Sequence, residues 1–289
     1  MLTLVLLATA AGQPPAATHE TANPLYKSLL DPGLAIGPNL RAKLPTPTLP
    51  DGLDAAKQKA AITALIGNDY TFEEFTHDSN VAPQLLRLDD VTPSAPKAPA
   101  RRVDAWFVVY GDLKSLDDEK FLDSLLSVGR GDGKGDSIKK EDLAERKIKV
   151  SDEKKEGFGH IAFDFLDRVR IRATGRAMWS KTAESVVVAV EVDPRFQGDK
   201  KFPNDWASIT KENGETKYGP TNPWAGSGLY LKITKLAEPA GALFCEQHVV
   251  FVEPEGWFDE ANLLRSKLPL AVQSNVRSMR KEWSRFEKK

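Results

Sequence analysis

Hydrophobic and polar residues alternate in several stretches of the second half of the chain. The alternation covers residues 160–173, 229–235 and 243–253, and 185–192 is a β-branched run. Alternation of this kind is typical of strands with one buried and one wet face. These stretches therefore predict an antiparallel sheet, in which the last two strands form a hairpin.

A second pattern, with apolar residues three or four positions apart, follows Pro254. It predicts one long helix with a continuous apolar stripe, which we expect to lie across the sheet. Pro269 interrupts the stripe and predicts a kink or short break near Leu268, because proline removes one hydrogen bond and clashes with the preceding turn. The stripe consists of Phe258, Ala261, Leu264, Leu268, Val272, Val276, Met279, Trp283 and Phe286.

The first half of the chain mixes both patterns. Asp51 is a candidate cap for a helix over 54–66 that stops at Gly67. Further helical segments are predicted at 71–76 and 117–128. Two strands, over 81–91 and 102–110, are predicted to be joined by a proline-containing loop. Together with the second half, this order predicts an α+β fold with a curved antiparallel sheet packed against a long C-terminal helix.

Sequence composition also predicts how the chain is divided. Residues 1–10 are a short apolar run that ends in Ala8-Thr9-Ala10, although no Lys or Arg precedes it. They predict a signal peptide cleaved near Ala10 and export to the periplasm or the extracellular space. Residues 11–50 are rich in proline and predict a flexible lead. Residues 51–289 predict a single globular domain, in which the glycine-rich and charged stretch 129–159 is a mobile insertion.

Charge and cysteine content narrow the possible partners. The 289 residues contain 40 Lys and Arg against 41 Asp and Glu. No overall field would attract nucleic acid, so none is predicted as a partner. The N-terminal apolar run is far shorter than the ~20 residues that span a bilayer, so no transmembrane segment is predicted. Cys245 is the only cysteine, which excludes an intramolecular disulfide.

The motifs of common catalytic and metal sites are incomplete in this sequence. Ala225 and Leu229 stand where the nucleophile elbow of a serine hydrolase has glycine. Glu73 and His77 have the spacing of two ligands on one helix face, which is too few for a metal site. The glycine-rich stretch 129–136 has glycine where a calcium loop needs oxygen ligands. The sequence predicts no catalytic residue, metal or cofactor, and it leans away from an enzyme.

Five residues are candidates for ligand binding. Arg168, Arg170 and Arg172 lie on one face of a predicted strand, where they would suit an anionic ligand. The alternative is a solvated sheet face with acidic cross-strand partners. Trp206 and Trp224 stand in loop-like contexts, which would suit a flat apolar ligand. Their alternative role is to fill the edges of the core.

The order of the predicted elements is helix, strands, helix, several antiparallel strands and a long closing helix. In this order alone the chain resembles the START-like helix-grip proteins, and the charged insertion departs from their pattern. The resemblance implies that the sheet and the final helix enclose an apolar pocket. Fold-level analogy of this kind does not assign a function.

Three functional hypotheses remain open. The first is an exported, non-enzymatic protein that binds a small apolar or anionic ligand or a protein partner. The second is an enzyme whose site is assembled from scattered residues, and the third is an envelope-associated structural or interaction protein. An enclosed apolar cavity would favour the first, a polar cleft with converging acids the second, and a filled core the third.

Overall fold

The computed structural model describes residues 18–37, 39–91, 100–118, 120–121, 124–125, 134–151, 155–257 and 262–288. The predicted signal peptide, the loop over 92–99, and Phe258 and Ala261 of the predicted stripe lie outside these residues.

Helices lie at both ends of the chain and strands occupy most of the middle. The helices are α1 (His19–Ala22), α2 (Pro24–Leu30), α3 (Ala55–Ile66), α4 (Phe72–Phe75), α5 (Lys140–Glu145) and α6 (Asn262–Glu287). The strands are β1 (Leu34–Gly37), β2 (Leu40–Ala42), β3 (Gln84–Asp90), β4 (Ala100–Tyr110), β5 (Lys134–Ser137), β6 (Glu156–Phe165), β7 (Val169–Lys181), β8 (Ser185–Val192), β9 (Asp205–Glu212), β10 (Glu215–Tyr218), β11 (Asn222–Pro223), β12 (Ser227–Lys235) and β13 (Ala242–Val252).

One large sheet forms the centre of the protein. Its main path runs in the order β10-β9-β7-β8-β12-β13-β4-β3, while β6 pairs with β7 and with β5. The pairs along this path are antiparallel. The C-terminal helix α6 packs against β4 and β3. The predicted α+β class, with an antiparallel sheet and a long closing helix, is confirmed. None of the helices within the described ranges is long and apolar enough to cross a membrane.

The two faces of the sheet have different covers. On the face that we call inner, Phe107, Ile233 and Cys245 pack against side chains of α6. On the opposite, outer face, Tyr230 packs with residues of α2, and Phe244 packs with residues of α3 and α4. Alternate residues of each strand therefore face two separate parts of the core.

The strand expected over 160–173 is a hairpin instead. Leu166 and Asp167 adopt left-handed backbone conformations, with φ of 52° and 58°. The Arg168 N–H donates to the Phe165 carbonyl and closes the turn between β6 and β7. Alternation continues on both sides of this turn, which is why the sequence pattern did not show it.

The closing helix also differs from its prediction. Among the described residues it begins at Asn262 rather than just after Pro254, and Pro269 lies inside it without a break, so that the kink near Leu268 stays a prediction. The apolar stripe is confirmed where the structure describes it: Leu264, Leu268, Val276, Met279 and Trp283 are buried.

The segment expected to be a flexible lead is packed over its described part, 18–37 and 39–50. Asn23 caps α2 by accepting a hydrogen bond from the Tyr26 N–H, and Pro24 occupies the first turn. Proline is tolerated there because that position needs no intrahelical hydrogen bond. Leu25, Tyr26 and Leu29 are buried against the outer face of the sheet. The globular body therefore begins well before Asp51.

The charged insertion, expected to be mobile, also contains packed structure where it is described. It forms β5 and the short helix α5. Ile138, Leu143 and Phe158 pack with Phe196 in a small separate core. Arg146 connects this unit to the loop between β8 and β9 through an ion pair with Asp199, at 2.7 Å from Nε to Oδ2.

Candidate ligand-binding site

Two neighbouring rows of side chains cross the inner face of the sheet, and we call them together the inner strip. The strand registers place the members of each row side by side on six strands, in the order β7, β8, β12, β13, β4 and β3. The first row is Ala177, Val190, Leu229, Val249, Val103 and Leu88; the second is Trp179, Val188, Leu231, Gln247, Ala105 and Leu86.

The inner strip is less covered than the inner face on either side of it. In the next row, Val186, Ile233, Cys245 and Phe107 are buried in the cluster that contains Trp283, and this cluster also includes Val188 of the strip. Beyond the opposite edge of the strip, Phe251 is buried with Trp257 and Leu264. Helix α6 contacts both of these clusters, because its residue Val272 packs against each of them.

Most members of the strip nevertheless keep part of their surface exposed. In the first row these are Ala177, Val190, Leu229, Val249 and Leu88; in the second they are Trp179, Leu231, Gln247 and Leu86. Partly exposed apolar side chains between a sheet and a helix form a surface that an apolar molecule can cover.

Gln247 is the one polar side chain in the strip. It lies between Leu231 and Ala105 in its row. An ion triplet lies at the far end of the same face, where Arg101 bonds to Asp90 and to Glu253, the latter at 2.6 Å from Nε to Oε2. The guanidinium of Arg101 is thus already neutralised by two carboxylates.

The arginines expected to bind ligand lie elsewhere. Arg168 is exposed in the turn between β6 and β7. Arg170 is paired with Asp164, at 2.8 Å from Nη1 to Oδ1, and Arg172 with Asp205, at 2.7 Å from Nε to Oδ1. Asp205 and Arg172 are cross-strand neighbours, so these pairs match the alternative of acidic partners along the strands.

The tryptophans expected to bind ligand are buried on the inner face, 8% exposed for Trp206 and 4% for Trp224. Both pack against Trp257, with ring centroids 6.0 and 5.7 Å apart, and the Trp224 indole N–H donates to the Val252 carbonyl. Because Trp206 pairs with Ile171 and Asp205 with Arg172, the tryptophans and arginines face opposite sides of the sheet. The structure does not bring these five candidates into one site, and ligand binding by them stays a prediction.

A charged network, which the sequence did not reveal, is buried on the outer face. His248 Nδ1 lies 2.8 Å from Asp104 Oδ1, and His248 Nε2 lies 3.6 Å from Glu246 Oε2. The Lys232 ammonium lies 2.9 Å from Asp51 Oδ1 and donates to the Leu49 carbonyl. Asp104, Lys232, Glu246 and His248 are ionisable side chains on three central strands, where a buried charge without its partner would be costly.

The proline-containing segment 43–50 covers this network. The Thr48 N–H donates to Glu246 at 2.6 Å, the Tyr230 hydroxyl donates to the Pro45 carbonyl, and the Trp106 indole N–H donates to the Thr48 hydroxyl. His248 is only 1% exposed beneath it. The network therefore holds the N-terminal segment on the sheet and offers no open surface for a substrate.

Two open depressions flank helix α4, and Glu73 and His77 line both. Helix α4 ends at Phe75, so these two residues do not share a continuous helix. The Glu73 carboxylate is also engaged by Lys59, at 2.7 Å. Over the ranges listed above, no three His, Cys, Asp or Glu side chains gather as a metal site would require.

Comparisons with known proteins give similarities of fold alone. No family model and no curated protein matches the sequence. Among solved structures, the human StarD13 lipid transfer and protein localization domain is 9% identical, with 71% of this chain and 86% of that chain covered and a TM-score of 0.44. Human STARD10 is 9% identical, with 85% and 84% covered and a TM-score of 0.38. A conserved protein from Geobacillus kaustophilus is 7% identical, with 64% and 95% covered and a TM-score of 0.32.

Proposed function

We propose that this protein is a non-enzymatic binding protein that holds a small apolar ligand against the inner strip. The observation that carries the proposal is the partial exposure of apolar side chains on β7, β8, β12, β13 and β3, between the two clusters in which helix α6 packs on the sheet. On β4 the two residues of the strip, Val103 and Ala105, are buried. Burying the exposed apolar surface against a ligand would gain roughly 25 cal/mol for each Å² of apolar area removed from water.

The other ligand and function classes have less support. Arg170 and Arg172 are already ion-paired, which weakens the case for an anionic ligand on the outer face. The charged network around His248 is buried beneath residues 43–50, so it gives little support to an enzyme site. A protein partner for the inner strip would have to reach past α6, which favours a small molecule.

Binding can be tested with N-phenyl-1-naphthylamine, a neutral dye that fluoresces in apolar surroundings. The wild-type protein should enhance its fluorescence in a saturable manner, with energy transfer from Trp179, which lies in the strip. Ala177→Phe should fill part of the strip and weaken dye binding. The matched control is Ala183→Phe, because Ala183 is exposed between β7 and β8.

The proposal predicts that Ala177→Phe weakens dye binding by at least about tenfold while its urea-unfolding midpoint stays close to that of Ala183→Phe. Dye binding that is absent in the wild type, or equally strong in both variants, would contradict the proposal. In that case the strip would be a filled part of the core, and the interaction-protein hypothesis would become the stronger one.

We also propose export to the periplasm or the extracellular space, with removal of residues 1–10. The support is the apolar run that ends in Ala8-Thr9-Ala10. Intact-mass analysis of protein made in a bacterial host with its native N-terminus should show the loss of about ten residues. An unprocessed product would count against export.

A further inference from the structure

We infer that the ligand of the inner strip is a neutral amphiphile whose hydrogen-bonding group pairs with the side-chain amide of Gln247. This inference rests on the proposed function and names the chemical class of its ligand. It starts from the position of Gln247, which is partly exposed among apolar neighbours: Leu231 and Ala105 across the strands, and Val249 along β13.

The Gln247 amide lacks a protein partner within the described part of the chain. Its main chain belongs to the ladders with β12 and β4, but its side chain makes no hydrogen bond to a described residue. An amide offers two donors and one acceptor. The amide still reaches solvent, and a ligand that covers it must replace the hydrogen bonds to water; a ligand that supplies such a bond keeps its affinity and gains a fixed orientation.

Charge on the inner face argues for a neutral ligand. The two rows of the strip contain no ionisable side chain. Lys181 lies next to Val186 in the row beside the strip, and its ammonium group is paired with Asp117, at 2.6 Å from Nζ to Oδ1. At the far end of the face, Arg101 is held by Asp90 and Glu253.

A charged head group would therefore lose its water at the strip without gaining a counter-ion. That loss is costly for a carboxylate or an ammonium group and much smaller for a hydroxyl or an amide. Gln247 can both donate to and accept from such neutral groups. The strip thus suits an apolar chain or ring system that carries a single hydroxyl, carbonyl or amide.

Competition against N-phenyl-1-naphthylamine tests this choice, with three displacers of equal chain length: decan-1-ol, decanoate and decylammonium. At pH 8 the carboxylate and the ammonium group are both charged. We expect decan-1-ol to displace the dye at a concentration at least about tenfold lower than either charged displacer. Gln247→Leu should raise the concentration of decan-1-ol required by about fivefold, the effect of one net hydrogen bond.

The matched control is Gln84→Leu, because Gln84 is a partly exposed glutamine on the same face, one row beyond the strip. It should leave displacement by decan-1-ol unchanged. Dye affinity reports folding in every variant and should be retained in Gln247→Leu.

Failure of the inference is distinguishable from failure of the proposed function. If the dye binds but decanoate displaces it as well as decan-1-ol does, or Gln247→Leu has no effect on decan-1-ol, the inference is overturned and the proposed function stands. If the dye does not bind to the wild type, both are overturned.

Discussion

Gly111 lies directly against the indole ring of Trp283, so that a Cβ atom at position 111 would fall 1.9 Å from the indole Nε1 and 2.2 Å from Cδ1. Gly111→Ala must therefore displace the indole of α6 or the end of β4. We expect a loss of about 1–3 kcal/mol in the free energy of unfolding, as for other overpacked cores. Urea unfolding measures it.

The control for this substitution is Gly157→Ala. A Cβ atom at position 157 meets no atom within 4 Å, and its backbone φ lies outside the left-handed region. Its free energy of unfolding should stay within about 0.5 kcal/mol of the wild type. Equal effects of the two substitutions would mean that Trp283 is not held against Gly111.

Removing the Trp283 side chain tests how much the closing helix contributes to stability. Trp283 is 0% exposed and contacts Phe121 edge to face, with ring centroids 5.2 Å apart. Trp283→Ala should lower the free energy of unfolding by about 3–5 kcal/mol. Leu270→Ala is the control on the same helix, because Leu270 is 67% exposed, and it should cost no more than about 0.5 kcal/mol. A near-neutral Trp283→Ala would contradict this packing.

The elements with regular periodicity were predictable from the sequence. Helix α3 ends at Gly67, with φ of 58°, as predicted. Its cap is Asp54 rather than Asp51, because the Asp51 carboxylate is engaged by Ser185 and Lys232 instead. A helix cap is a contact between residues three positions apart, which a local sequence pattern can indicate. The partners of Asp51 lie more than a hundred residues away, so no local pattern indicates them.

Contacts between residues far apart in the sequence also explain why the packed N-terminal segment and the inner strip were not predicted. Prolines excluded a long helix from residues 11–50, but they did not exclude short elements whose partners lie on the sheet. The Pro45 carbonyl, for example, accepts a hydrogen bond from Tyr230. The inner strip was equally hidden, because Gln247 becomes distinctive only once the register places Leu231 and Ala105 beside it.

Acidification should loosen the N-terminal segment at His19. Its ring is fixed between Ser180 and Ser185, at 2.8 Å from Nδ1 and 2.7 Å from Nε2 to the two hydroxyl oxygens. Burial lowers the pKa of His19 from 6.5 to about 4, an effect that the charge of Asp51 opposes and that of Lys232 reinforces. The unfolded chain therefore takes up a proton between pH 6.5 and 4 that the folded chain does not, so stability falls over this window.

Hydrogen exchange of the backbone amides in α1 and α2, compared at pH 7 and pH 4.5, measures the loosening. These amides should lose protection relative to those of β13 as the pH falls, after correction for the intrinsic exchange rates. His19→Asn should remove much of the pH dependence, because asparagine does not titrate. His77→Asn, at an exposed histidine, should not alter it. Protection that is independent of pH in the wild type would refute the prediction.

His248 should make the stability depend on pH in the opposite direction, with a loss as the pH rises. Burial by itself would lower the pKa of His248, but its hydrogen bond to Asp104 and the nearby charges of Asp104 and Glu246 raise it above 6.5. A folded-state pKa above the unfolded value gives stability that is complete below about pH 6.5 and is lost as the pH rises through the folded-state pKa. The titration of the His248 ring protons by NMR measures that pKa directly.

Asp104→Asn should move the His248 titration to lower pH, because it removes the carboxylate 2.8 Å from Nδ1. Asp89→Asn is its matched control: Asp89 binds Arg102, which also binds Asp104, but Asp89 is an exposed carboxylate on the edge strand. The control should shift the titration far less. Urea unfolding of the wild type between pH 6 and 9 should show the corresponding loss of stability, and Asp104→Asn should bring its onset to lower pH. A wild-type His248 that titrates at or below pH 6.5 would mean that desolvation outweighs the effect of the two carboxylates on its pKa.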